Sequence, residues 1–118
     1  MTQDKRLQTI DVFKRVTRIV WSRLSPTFGI KTINAIAKNS LARQAKIHPL
    51  LELVSLDEDG LVWTRIESEV VRYPETEVSE SLEAFLDQFF DALSELIGRL
   101  VANQVLEEAK EARKEKGQ

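Results

Sequence analysis

Few side chains in this chain are of the types that carry chemistry, and their spacing restricts what they can do. His48 is the only histidine and there is no cysteine, so the usual imidazole and thiolate sets that hold zinc cannot be assembled and no cysteine nucleophile exists. As a general base, His48 needs a partner that orients it, and none is marked out by spacing; its place before Pro49 reads as the end of a helix. The tetrapeptide Asp57-Glu58-Asp59-Gly60 invites a calcium reading. With Gly60 at the sixth position of an EF-hand loop, the first ligand falls on Ser55 and the twelfth on Ile66, where a bidentate glutamate is required. The register fails, and the stretch reads as a solvated acidic turn. Glu67 with Glu69, and Asp87 with Asp91, are candidate carboxylate pairs for acid–base work, but Asp87 and Asp91 fit the acidic outer face of a helix equally well. Gly29, Gly60, Gly98 and Gly117 are scattered and form no phosphate loop. The expectation is therefore no catalytic residue, no cofactor and no metal, and not an enzyme.

What the sequence does carry is a sorting of charge. Residues 1–48 hold ten Lys/Arg against two acids, and residues 49–118 hold seven against seventeen. Halves of opposite sign either face each other or each address a partner of opposite charge. At 118 residues with 42% hydrophobic and 31% charged side chains, the chain suits one globular domain with one core. No stretch approaches the ~18 uninterrupted apolar residues of a membrane span. The N-terminus lacks the apolar run of a secretion signal, so the cytoplasm is the expected compartment.

The elements that position these residues follow from periodicity. Leu7, Ile10, Phe13, Val16 or Val20, and Leu24 recur at helical spacing, which predicts a first helix over 1–24. Ser25-Pro26 combines a helix stop with an N-cap and a first-turn proline, which predicts a second helix over 26–47, paired with the first as a basic αα-hairpin. Leu50–Leu56 and Leu61–Ile66 are short apolar runs around the acidic turn, which predicts a small β-hairpin or extended segment over 50–66, with a helical turn for Leu50–Leu56 as the alternative. A further short helix is expected over Glu67–Tyr73. Ser79 as N-cap, followed by Leu82, Leu86, Phe89, Leu93, Leu96 and Leu100, writes a heptad stripe whose next position is Asn103. The long helix so predicted spans 79–115, with an end that frays into solvent.

The expected fold is mainly α, a helical bundle that dimerises. The stripe of Leu82, Leu86, Phe89, Leu93, Leu96 and Leu100 is the expected interface, with Gly98 allowing close helix approach and Asn103 setting register. Lys14, Arg15, Arg18, Lys31 and Lys38 form a basic face for a partner. The function expected is a non-catalytic protein-interaction module: a homodimer with a dimerisation, adaptor or regulatory role of the kind used in prokaryotic signalling. The alternative is a nucleic-acid-binding regulator that uses the same basic helices, although a winged-helix reader needs three helices before its hairpin and only two precede this one.

Overall fold

A computed structural model describes residues 4–98, 104 and 106–112. Helix α1 spans Lys5–Phe28, and its buried residues Ile10, Phe13, Val16, Thr17, Val20, Trp21 and Leu24 form one stripe. Asp4 caps its start, accepting from the Arg6 backbone N–H at 2.8 Å. The junction with α2 (Ile30–Ala45) falls at Gly29, which corrects the expected break at Ser25-Pro26. Pro26 stays inside α1 on an exposed turn, where the carbonyl it leaves unpaired can reach water. The break comes instead from Gly29, whose φ of +86° and ψ of 139° lie in a region essentially restricted to glycine. Its N–H donates to Ser25 O at 2.8 Å and closes the end of α1.

After α2, a single 3₁₀ segment, Pro49–Leu53, buries Leu50, Leu51 and Leu53. The run expected to be hairpin over 50–66 is thus divided, its first part being the helical turn. The hairpin is confined to β1 (Ser55–Asp57) and β2 (Gly60–Val62), antiparallel in the register Ser55↔Val62, Leu56↔Leu61, Asp57↔Gly60. Helix α3 (Thr64–Glu69) and a 3₁₀ turn at Val70–Arg72 lead to α4 (Glu75–Ile97). This last helix begins four residues before the expected Ser79. Pro74 stands at its N-cap, and Glu75 and Glu77 in its first turn favour the positive end of the helix dipole. The fold is mainly α, with one two-stranded sheet among the described residues.

Helix α4 packs against α1, α2 and the Pro49–Leu53 segment. Phe89 stacks on Phe85 and meets Trp21 at a tilt, with ring centroids 5.6 and 5.3 Å apart. Leu82, Leu86, Phe89 and Leu93 are no more than 2% exposed. These four stripe residues are covered by their own chain, which corrects their assignment to a face covered by a second copy: two basic helices and a leucine-rich turn together suffice to enclose them. The predicted continuous helix over 79–115 is also corrected. Gly98 ends α4 with φ +89° and ψ 145°, another nearly glycine-only conformation. Residues 106–112 are helical; Ala109 is buried, and Glu108 reaches Arg23 of α1 at 2.6 Å, so this part of the tail lies on the domain, and the end expected to fray falls outside the described residues. No helix among the described residues is long and apolar enough to cross a membrane.

Candidate interaction surfaces

Lys14, Arg18 and Trp21 follow one another at steps of four and three, which sets them along one side of α1. Facing them are the turn and second strand of the hairpin and the start of α3. Between the two walls runs a cleft of about 380 Å³, lined by Lys14, Thr17, Arg18 and Trp21 on the helix side and by Asp59–Thr64 and Glu67 on the other. Trp21 and Trp63 are nearly buried, so the cleft has an aromatic floor. Thr17 turns its hydroxyl back to donate to the Phe13 and Lys14 carbonyls, leaving its methyl group to the packing.

One amide holds the two walls together. Trp21 Nε1 donates to Asn34 Oδ1 at 2.8 Å, and Asn34 Nδ2 donates to the carbonyls of Asp57 and Glu58 at 3.0 and 3.4 Å. The hairpin comes so close to the indole that a Cβ at Gly60, where φ is +126°, would stand 3.1 Å from Trp21 Nε1. Farther along, Lys14 Nζ pairs with Glu67 Oε2 at 3.1 Å. Arg18 is exposed and makes no ion pair among the described residues.

A second concavity lies between α2 and the end of α4. Ala35, Ile36, Ala92 and Leu96 line it, with Lys31, Thr32 and Glu95 also contributing, and its volume is about 610 Å³. It is open and apolar. Leu96 is 50% exposed there, against 1% for Leu93 a turn earlier.

The predicted site residues divide accordingly. Leu82, Leu86, Phe89 and Leu93 are core; Leu96 alone of the described stripe residues is presented at the surface. Gly98 is exposed, with nothing among the described residues within 4 Å of a Cβ, so no described helix crosses closely there, and its positive φ ends α4. Leu100 and Asn103 lie outside the described residues. In the basic set, Lys14 pairs with Glu67, while Arg15, Arg18, Lys31 and Lys38 are exposed and form no ion pair among the described residues. The opposed halves meet at Lys14–Glu67 and Arg23–Glu108. His48 is a half-buried turn residue, its N–H donating to Gln44 O and its carbonyl accepting from Leu51 N. Glu69 is held by Arg65 on its own helix, and Asp87 and Asp91 face outwards. Groups of three or more potential metal ligands are absent among the described residues.

The cleft was missed in the sequence, although the spacing of Lys14, Arg18 and Trp21 was a visible signal. Its opposite wall was not visible, because the hairpin is brought there by long-range contacts, the Asn34 bridge and the approach of Gly60 to Trp21. The chain matches no protein-family model, no curated protein and no solved structure.

Proposed function

We propose that the chain is a non-catalytic protein-interaction module that forms a homodimer through the groove between α2 and α4, and acts as an adaptor or regulator in that state. The observation that carries the reading is Leu96. It stands half-exposed beside Ala35, Ile36 and Ala92, with a cation, Lys31, and an anion, Glu95, on the same groove. A surface of this composition is self-complementary. About a two-fold axis the Leu96 of each copy enters the groove of the other, and each Lys31 approaches the opposite Glu95. Apolar area removed from water is worth about 25 cal/mol per Å², and the two charges at the rim contribute register more than affinity. A stable dimer buries about 800 Å² on each partner, so the groove is the centre of a wider contact.

Sedimentation equilibrium tests the reading on the wild-type chain and on Leu96→Glu. The expected result is a dimer for the first and a monomer of unchanged helical content for the second. Two monomers at the highest soluble concentration would overturn it. Leu93→Glu is unsuitable as a probe, because a buried charge at that position unfolds the domain.

Arg15, Arg18, Lys31 and Lys38, exposed and without an ion pair among the described residues, favour a second reading, binding to a nucleic-acid backbone. Such binding weakens steeply with salt. Failure to retain duplex DNA or single-stranded RNA at low salt ends that alternative.

A further inference from the structure

The cleft between α1 and β2 contains a feature that neither self-association nor a phosphate backbone uses: a strand edge. The loop between β1 and β2 has two residues, Glu58 and Asp59, and Asp57 pairs with Gly60. In a hairpin of that length the pair flanking the loop is the hydrogen-bonded one, and the next pair, Leu56 with Leu61, is not. Alternation then turns the N–H and C=O of Leu61 away from β1. Leu61 lines the cleft, the sheet has no third strand among the described residues, and no backbone group of another element bonds these two atoms there. An outward donor and acceptor beside an aromatic floor are the requirements for strand addition.

The charges facing the edge select among extended partners. Glu67, on the same side as the edge, pairs with Lys14 across the cleft at 3.1 Å, and on the helix wall the exposed guanidinium of Arg18 has no ion pair among the described residues. Asp59 is the other carboxylate lining the cleft, and it belongs to the hairpin turn at one end. The middle of the cleft is therefore cationic on the helix side. We infer that the cleft is a docking site for an extended peptide that pairs its main chain with Leu61 and places an acidic side chain against Arg18. The peptide lies as a third strand beside β2, with its apolar residues over Trp21 and Trp63. The site shares no lining residue with the α2–α4 groove, so its fate is separate from that of the dimer.

The test uses the full chain, labelled with ¹⁵N, and two synthetic capped pentapeptides, Ac-Val-Glu-Val-Glu-Val-NH₂ and its Lys counterpart. The acidic peptide is expected to shift the Leu61 amide saturably and to bind more tightly than the basic one. N-methylation of its central residue, which removes a main-chain donor and crowds the strand edge, weakens it about tenfold. Arg18→Glu, on an exposed position where folding is not at risk, reverses the preference towards the lysine peptide. No shift at Leu61 with either peptide would overturn the inference, as would equal binding of both that Arg18→Glu leaves untouched. Tighter binding of a single-stranded oligonucleotide at the same amides also overturns it.

Discussion

Replacing Gly60 with alanine probes the junction of the hairpin with the helices at its most constrained point. Two costs add there. At φ +126° an L-residue is strained, which at such positions costs about 1–3 kcal/mol. The new Cβ also stands 3.1 Å from Trp21 Nε1, and overfilling a packed site of this kind costs a further 1–3 kcal/mol or so. The indole has little room to retreat, because Asn34 holds its nitrogen at 2.8 Å and Phe89 lies against its ring at 5.3 Å. Restricting the unfolded chain returns about 0.4–1 kcal/mol, so the net loss should be about 3 kcal/mol. With a urea slope of about 2 kcal/mol/M, the midpoint falls by about 1.5 M. The assay is urea unfolding followed by far-UV circular dichroism, repeated in a Trp21→Phe background. Phenylalanine lacks the nitrogen that the methyl group would strike, so the double-mutant cycle should return about 1–2 kcal/mol of the cost. A loss of less than about 1 kcal/mol, or one unchanged by Trp21→Phe, would show that the hairpin does not press on the indole and would refute this account.

The burial contrast along α4 makes a paired prediction: Leu93→Ala should destabilise by about 2–5 kcal/mol and Leu96→Ala by less than about 0.5 kcal/mol in the monomer, measured by the same unfolding assay. Asn34→Ala removes the acceptor of Trp21 Nε1 and the donor to the hairpin turn, so it should cost about 1–3 kcal/mol and shift the tryptophan emission. Asp4 is held at about 2, below its ordinary 3.8, chiefly by the side-chain hydrogen bond from Arg6. Because the folded value is the lower one, its contribution to stability is complete above 3.8 and is lost as the pH falls through about 2. The carboxyl carbon of Asp4, followed by NMR, should titrate near that lower value, and Arg6→Ala should move it back up.

How much of this was legible beforehand depended on whether the cause was local. The steps of three and four from Ile10 to Leu24 describe α1 because periodic burial is a property of the segment itself. The acidic turn ending in Gly60 placed the hairpin for the same reason. The α1–α2 junction was misplaced because Pro26 is a strong local signal, yet a solvated turn absorbs its missing hydrogen bond and Gly29 makes the break. Along α4 the heptad stripe announced burial but could not say what does the burying; α4 packs on α1, α2 and Leu50–Leu53, and among the described stripe residues Leu96, at the edge of α2, is the one left half-exposed. The cleft depends on Asn34, a half-buried polar residue whose hydrogen bonds to Trp21, Asp57 and Glu58 span 13, 23 and 24 residues of sequence, and no periodicity encodes such a link.

The attachment of the hairpin has one more consequence. Most of its residues, including Ser55, Leu56, Asp57, Leu61 and Val62, are at least partly open to solvent, so it is anchored by the Asn34 amide, Gly60 and Trp63 more than by a broad apolar footing. Amide protons of β1 and β2 should therefore exchange with deuterium through a partial opening that leaves the helical core intact, well before those of α1 and α4. Such an early exchange would mark the hairpin as the wall of the cleft that opens at least cost to the rest of the chain.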